Sequence, residues 1–255
     1  MRVRNNAHVI VVVAPALAGV AGFIDAVGFI TLRGLFVAHM SGNSVKFGVY
    51  AGAGNLSAAA PAGIAVVLFI AGVAVGTVSA ELASRRRLRS VAAVVLSVQV
   101  ALIAAFMAYG SSLLSGHVVQ GRSLSGFYAL AALAVLSMGI QTSALRQLAG
   151  RTISTTYVTG VITSLTQEAA NYLFWLHDGS RRDERNSFLS RVLGLGSRRD
   201  SRNRVALLGG VWLTYVGGGV LGSLLDRRVE LWALLVPLAV LLVVIALDLR
   251  RPLAF

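Results

Sequence analysis

The protein has 255 residues and a formal net charge of +13, and 56% of its residues are hydrophobic while only 13% are charged. This composition leaves too little polar surface to cover a soluble domain, so it indicates a membrane protein. The chain contains no cysteine, which excludes disulfide frameworks, thiol catalysis and cysteine-rich metal sites. We expect no metal and no cofactor.

Six apolar stretches are each long enough to cross about 30 Å of hydrocarbon as a helix. The first follows two arginines, as in a signal peptide, but it is longer than a signal core and leads into further membrane sequence without a small-residue cleavage site. The sequence therefore predicts an all-α, polytopic bundle of six transmembrane helices. The predicted spans are residues 9–30, 62–83, 91–114, 125–145, 205–225 and 231–249.

The distribution of basic residues predicts the orientation of these spans. With the N-terminus in the cytoplasm, most of the 23 lysines and arginines fall in cytoplasmic segments, as the positive-inside rule requires. This orientation places both termini in the cytoplasm. An arginine-rich insertion at residues 177–204 is expected to lie on the anionic inner leaflet of the lipid bilayer. Its interleaved acidic residues argue against nucleic acid as a partner.

Two segments between the spans, residues 35–53 and 152–174, are polar and interrupted by glycine. If the first crossed the membrane completely, the arginines of residues 85–89 would move to the outer side, against the positive-inside rule. Irregular backbone exposed to lipid is also excluded, because nothing in hydrocarbon pairs its amides. Both segments are therefore predicted to be re-entrant or broken helices sheltered by the other spans.

An internal repeat relates the two ends of the chain. Residues 69–77 align without a gap with residues 215–223, with an aromatic residue on an aromatic residue and a hydroxyl on a hydroxyl. Upstream, residues 38–42 align with residues 156–160. The difference between the two offsets matches the arginine-rich insertion, which only the second half contains.

Each half, residues 1–114 and residues 125–255, then contains a span, a broken segment and two further spans. Because three spans are an odd number, the second half must enter the bilayer in the opposite direction from the first. Inverted repeats of this kind are typical of secondary transporters, where broken helices meet near the midplane. The alternative is that duplication is only an economical route to a compact bundle.

The polar residues of the first half are predicted to line a path for a small solute or ion. Hydrocarbon penalises unpaired polar groups, so such residues at membrane depth need a partner or a function. Asp25 could pair with Lys46, as a structural ion pair or as a coupled proton or ion site. For the serines and Asn43, capping of a half-helix is the alternative. The candidates are Asp25, His39, Ser41, Gly42, Asn43, Ser44 and Lys46.

The second half repeats this polar character without the cation. Gln141 in the fourth span is expected at the position that Asp25 occupies in the first. Threonines spaced three or four apart would form one hydroxyl stripe on a helix, and hydrogen bonding between helices is the alternative to a solute path. The candidates are Gln141, Thr156, Thr159, Gly160, Thr163, Gln167 and Glu168.

Two pairs of glycines, Gly72 with Gly76 and Gly218 with Gly222, have the small-xxx-small spacing that permits close helix crossing in lipid. They predict helix packing, and the sequence leaves open whether this packing joins the two halves or two protomers of a homo-oligomer.

Three further blocks carry a family resemblance. They are GFIDAVGF at residues 22–29, FVAHMSGN at residues 36–43, and GIQ at residues 139–141 followed by TTYVTG at residues 155–160. With these blocks the chain resembles the YoaK family of bacterial membrane proteins over nearly its whole length. That family is a domain of unknown function, so the resemblance implies a bacterial plasma-membrane location without a substrate. Ser41 stands where the family's TGN block has threonine, which keeps the hydroxyl.

These features predict a secondary transporter or a channel-like protein for a small solute or ion. The alternative is a membrane scaffold or stress-related assembly protein that transports nothing. An enzyme is not expected, and no residue is predicted to be catalytic, because Ser41 lies directly beside His39 and adjacent residues cannot supply the geometry of a catalytic triad.

Overall fold

The computed structural model describes residues 2–115, 124–148, 158–178, 198–250 and 252, and within these ranges the regular elements are all helices, with no β-strand. The helices are α1 (Arg2–Thr31), α2 (Met40–Gly52), α3 (Leu56–Arg85), α4 (Val91–Ser115), α5 (Leu124–Leu148), α6 (Val158–Asp178), α7 (Arg198–Val229) and α8 (Leu235–Arg250), with a 3-10 helix at Glu230–Leu234.

Five segments of the described chain are long and apolar enough to cross a membrane. Four of them lie in α1, α3, α4 and α5, while the fifth, Arg202–Arg250, contains both α7 and α8 and therefore the last two predicted spans. The outward face of α3 is apolar, with Val67 66% exposed and Ile70 62% exposed. An extended apolar surface of this kind needs lipid around it, so the chain is a polytopic helical membrane protein.

The chain between α1 and α3 is broken. Arg33 and Gly34 have positive φ angles of 53° and 85°, and the Gly34 N–H donates to the Phe29 carbonyl at 2.7 Å, which closes the C-terminus of α1. The backbone stays non-helical through His39. The following α2 has only 13 residues, a length of about 20 Å, which is too short to cross about 30 Å of hydrocarbon.

Close glycine contacts pack α1 against α7. A Cβ at Gly22 would overlap the Tyr215 carbonyl oxygen, and a Cβ at Gly218 would overlap the Gly19 carbonyl oxygen. Only glycine allows the two backbones to approach this closely. The predicted packing glycine Gly222 lies farther along the same interface.

The same kind of contact packs α3 against α5. A Cβ at Gly72 would overlap the Leu136 carbonyl oxygen, and a Cβ at Gly76 would lie 3.1 Å from the Ile140 Cα. Since residue numbers rise together along both helices, α3 and α5 are parallel. Both glycine pairs therefore join the first half of the chain to the second half of the same molecule, which the sequence left open.

α4 and α8 pack against each other in opposite directions. At one end the Ala93 N–H donates to Asp248 Oδ2 at 2.8 Å, and the Ser90 hydroxyl donates to the Asp248 carbonyl at 3.1 Å. At the other end a Cβ at Gly110 would meet the side chain of Leu231, in the 3-10 helix that leads into α8. The carboxylate of Asp248 therefore caps the first turn of α4, where free amides need an acceptor.

The centre of the bundle is formed mainly by α1, α4 and α5. Its largest fully buried side chains include Leu17 and Ile24 from α1, Phe106 from α4, and Leu130 and Met138 from α5. The broken segment and α7 pack on the outside of this core, and the candidate site lies between them.

Candidate functional site

Asp25 anchors the non-helical stretch to α1. Its carboxylate is 5% exposed, and its Oδ1 atom accepts hydrogen bonds from the backbone N–H groups of Val37 and Ala38, each at 2.9 Å. These amides belong to no helix, so in an apolar environment they require an acceptor. The buried carboxylate therefore explains how the chain can be broken at this place.

The second oxygen of the same carboxylate binds two side chains. His39 Nδ1 lies 2.5 Å from Asp25 Oδ2, and the Tyr215 hydroxyl donates to Oδ2 at 2.9 Å and lies 3.2 Å from His39 Nδ1. We call these three residues the Asp25 cluster. An ionised carboxylate can only accept, so with Asp25 ionised Nδ1 of the imidazole is the donor, and in a neutral ring Nε2 is then an acceptor.

A cavity of about 470 Å³ lies beside the Asp25 cluster, between α1, the broken segment and α7. Its walls are mostly apolar and include the rings of Phe29 and Phe36, whose centroids are 4.8 Å apart. Besides the cluster itself, the hydroxyl residues Ser41 and Ser223 also line it. Such a mixture of apolar walls and a few polar groups is typical of small-molecule sites.

Asn43 closes the broken segment on itself. It is fully buried, its Oδ1 accepts from the Phe36 N–H at 3.2 Å, and its Nδ2 donates to the Phe36 carbonyl at 2.7 Å. Gly42 packs tightly nearby, because a Cβ there would lie 3.0 Å from the Phe36 ring. The exposed Ser44 donates to the Met40 carbonyl at 2.8 Å in its own helix. Asn43 and Ser44 therefore bond to backbone, and Ser41 is the hydroxyl that faces the cavity.

Lys46 does not pair with Asp25, and this expectation was wrong. Its ammonium group donates to the Gly34 carbonyl and lies 5.4 Å from the Phe29 ring centroid and 5.0 Å from that of Phe36. The physical reason is that both oxygens of Asp25 already accept two hydrogen bonds each. Lys46 instead borders a second cavity, of about 350 Å³.

Gln141 occupies a different environment from Asp25. Its Nε2 donates to the Leu17 carbonyl at 2.7 Å, and its Oε1 accepts from Gln99 at 2.6 Å. All of these atoms lie in the buried core, where the amide chain ties α4 and α5 to α1. Gln141 therefore lines neither cavity.

The threonine stripe of α6 bonds within its own helix. Thr163 donates to the Thr159 carbonyl at 2.9 Å, and Thr166 donates to the Ile162 carbonyl at 2.9 Å. The expectation of hydrogen bonds between helices is therefore wrong for these two hydroxyls. An exposed helical threonine satisfies its hydroxyl most easily on the preceding turn.

The remaining candidates of the second half lie apart from the Asp25 cluster. Glu168 accepts from Arg204 of α7 at 3.1 Å, Gln167 is exposed and Gly160 is half-buried. Thr156 lies outside the described residues, as does most of the arginine-rich insertion. None of the α6 residues described borders the 470 Å³ cavity, so the structure brings together first-half candidates only.

Tyr215 is the site residue that sequence reasoning missed. It entered only as the aromatic partner of Phe69 in the repeat alignment, within an apolar span. The available signal was its hydroxyl, because a buried tyrosine O–H usually needs a partner and Phe69 has none. Nothing in the sequence named Asp25 as that partner.

The hydrogen bonds of the cluster fix the orientation of its histidine. Among the described residues, no group of three or more histidine, aspartate or glutamate side chains is arranged to hold a metal ion. The Asp25 carboxylate orients the imidazole of His39, and Tyr215 fixes the same oxygen from another helix. Such an arrangement holds one histidine in a defined orientation at the edge of a cavity.

Comparison with known proteins identifies relatives but no activity. Residues 13–247 match the family described as "Protein of unknown function (DUF1275)". The chain is 30% identical over 155 residues to the UPF0700 transmembrane protein YoaK of Bacillus subtilis (strain 168), and this match covers 61% of the chain and 65% of that protein. The match thus spans slightly less than two thirds of its relative. No solved structure matches the chain.

Proposed function

Because the chain belongs to the DUF1275 family, whose function is unknown, we propose its function from its own geometry: it is a secondary transporter of a small solute or ion in the bacterial plasma membrane. The family membership confirms the resemblance seen in the blocks at residues 22–29 and 36–43. The observation that carries the proposal is a buried carboxylate, Asp25, which binds the backbone of the broken segment beside an open cavity between α1, this segment and α7.

The depth of Asp25 supports a transport role. The first membrane segment runs from Val11 to Thr31, and Asp25 lies about 21 Å from its start and about 9 Å from its end. A carboxylate within a membrane-spanning helix is expensive, and in membrane proteins it usually marks a substrate, ion or proton site. Here the Asp25 cluster connects α1, the broken segment and α7, so a movement of α7 would change the hydrogen bonds of the carboxylate.

Repeated glycine contacts support an inverted-repeat architecture. Gly22 of α1 lies against the carbonyl of Tyr215 of α7, and Gly139 of α5 lies against the carbonyl of Phe69 of α3. Phe69 and Tyr215 are the aligned residues of the sequence repeat, so the α1–α7 and α3–α5 interfaces are counterparts. Because Gly139 corresponds to Gly22, the residue of α5 that corresponds to Asp25 is Thr142 rather than Gln141. The carboxylate of the site thus has no counterpart at the aligned position of the second half.

Six membrane crossings fit this arrangement. α7 has 32 residues, about 48 Å of helix, which is enough for one crossing by itself. The 3-10 helix and α8 together extend about 34 Å, and α8 runs antiparallel to α4 along its length. With the positive-inside rule, both termini are then cytoplasmic, and the basic residues face the anionic leaflet.

The natural lack of cysteine permits a test that needs no substrate. Ser223→Cys places a thiol in the cavity wall. Thr77→Cys places one at the aligned position of α3, where the side chain is exposed and borders neither cavity. A membrane-impermeant methanethiosulfonate reagent is applied to right-side-out and to inside-out vesicles. Ser84→Cys and Ser57→Cys, at opposite ends of α3, report the sidedness of each preparation.

A transporter must open its site to both aqueous phases in turn. We therefore expect Ser223→Cys to react in both vesicle orientations and Thr77→Cys in neither. Reaction from one side only would contradict transport and indicate a one-sided receptor. No reaction from either side would show that water does not reach the cavity, which is the result expected of a scaffold.

A further inference from the structure

We propose that the cavity beside the Asp25 cluster binds a small organic cation in exchange for a proton on His39. This inference rests on the transporter function proposed above and specifies its substrate class and its coupling. Four observations carry it: the charge of the cavity, the saturation of Asp25, the free edge of the imidazole, and the aromatic walls.

The charge of the cavity depends on one proton. Of the described residues that line it, Asp25 is the carboxylate and His39 the one basic group. The titratable groups that contact the imidazole are Asp25 from α1 and Tyr215 from α7. With a protonated imidazole the cavity is neutral, and with a neutral imidazole it carries one negative charge. A buried unpaired charge is costly, so loss of the proton favours the entry of another cation.

His39 can lose its proton without leaving the Asp25 carboxylate unpaired, because other groups also donate hydrogen bonds to this carboxylate. The amides of Val37 and Ala38 and the hydroxyl of Tyr215 still stabilise the carboxylate when the imidazole is neutral. Hydrogen bonds to a carboxylate stabilise its charged form. Both protonation states of His39 therefore leave Asp25 hydrogen-bonded.

The imidazole can pass its proton to the cavity. His39 lines the cavity and its side chain is 27% exposed. Nδ1 is bound to Asp25, while no hydrogen bond from Nε2 to another described residue is present. Nε2 is thus the position at which the proton is gained or lost.

The cluster does not offer the ligands that an inorganic cation needs. Alkali and divalent cations bind carboxylate and carbonyl oxygens directly, but each oxygen of Asp25 already accepts two hydrogen bonds. An organic cation requires no inner-sphere oxygen and is attracted by aromatic faces. The rings of Phe29, Phe36 and Tyr215 line the cavity, although the Lys46 ammonium already lies over the Phe29 and Phe36 rings from outside it. The volume of about 470 Å³ is within the range of small-molecule sites.

The charge of Lys46, outside the cavity, does not change the preference for an organic cation. Lys46 lies 5.0 Å from the Phe36 ring centroid, and its positive charge weakens a bound proton and a bound cation alike. The residues that line the cavity offer an anion no net positive charge in either protonation state of His39. The exchange is balanced: one cation enters, the imidazolium of His39 becomes imidazole, and one proton leaves to water.

Proton release on binding tests the exchange directly. The purified full-length protein, reconstituted in nanodiscs and weakly buffered, is titrated with benzyltrimethylammonium while a pH indicator records released protons. We expect about one proton released per cation bound, and an apparent Kd that falls about ten-fold per pH unit while His39 is protonated in the free protein. Binding that is independent of pH and releases no proton would overturn the inference.

Two further probes of similar size separate charge from shape. The neutral isostere neopentylbenzene is expected to release no proton, and the anion benzoate is expected not to bind. Proton release by neopentylbenzene would show that occupancy alone, rather than charge, displaces the proton. Binding of benzoate with uptake of a proton would assign the opposite substrate charge. Either result contradicts the proposal.

His39→Gln removes the titrating group but keeps an amide that can donate to Asp25. If the variant folds, it is expected to bind benzyltrimethylammonium without a pH dependence, while Tyr50→Phe beside the second cavity behaves like the wild type. If it does not fold, the pH dependence of cation binding by the wild type and the neopentylbenzene control still test the exchange. Aqueous access to Ser223→Cys from both sides, together with no binding of the cation, would refute the exchange while leaving the transporter function standing.

Discussion

The Tyr215 hydroxyl on α7 donates a hydrogen bond of 2.9 Å to Asp25 on α1, across 190 positions of sequence. This bond ties the last third of the chain to the carboxylate that holds the broken segment. Both helices also pack backbone to backbone at Gly22, and this packing brings the hydroxyl to the carboxylate. The Tyr215–Asp25 bond and the helix contact around it can both be tested by substitution.

Tyr215→Phe removes the hydroxyl and leaves the ring. One donor to a buried carboxylate is then lost, so we expect destabilisation of about 1 to 3 kcal/mol, seen as a lower midpoint of thermal unfolding in detergent. Tyr50→Phe removes an exposed hydroxyl from α2 and should stay within about 0.5 kcal/mol of the wild type. Equal midpoints for both variants would show that the Tyr215–Asp25 bond contributes nothing.

Asp25→Asn replaces the charge by an amide that cannot accept all four hydrogen bonds. We expect proton-driven uptake of benzyltrimethylammonium into proteoliposomes to fall to background. Asp248→Asn is the matched control, because this carboxylate is also buried but caps α4 away from the cavity. Unchanged uptake by Asp25→Asn would exclude a coupling role for the cluster.

Gly22→Ala adds a methyl group that overlaps the Tyr215 carbonyl. The helices must separate, at a cost of about 1 to 3 kcal/mol, and Gly139→Ala should cost a similar amount at the Phe69 carbonyl. Gly217→Ala is the control on the same helix, since nothing lies within 4 Å of its added Cβ. Alanine there is expected to stabilise the helix by up to about 1 kcal/mol. The unfolding midpoints of the three variants rank these effects, and an unchanged midpoint for Gly22→Ala would rule out the close contact.

Asn43→Ala leaves the Phe36 N–H and carbonyl without their partner. Loss of these two buried bonds is expected to lower stability by about 2 to 4 kcal/mol and to loosen the non-helical stretch. Ser44→Ala, one position along α2 and exposed, should have little effect. Hydrogen exchange of the peptide that contains residues 35–39 measures the loosening, and wild-type protection in Asn43→Ala would contradict it.

The cavity itself could be predicted only in part. The sequence identified Asp25, His39 and Ser41 as polar residues at membrane depth, and these three do line the cavity. It also identified Asn43 and Ser44, which the structure assigns to backbone hydrogen bonds. Both kinds of residue produce the same polar signal in hydrocarbon. Their difference lies in the direction of each side chain, which composition does not contain.

The sequence by itself determined the membrane class, the apolar helices and the place where the chain breaks, because hydropathy, glycine content and charge act over one or two helical turns. The tertiary structure alone decided that Asp25 binds His39 and Tyr215 rather than Lys46. That choice depends on two left-handed residues, Arg33 and Gly34, and on backbones brought together by glycines far apart in sequence. Hydrogen bonds are short and directional, so partners are selected by the folded geometry and not by residue type.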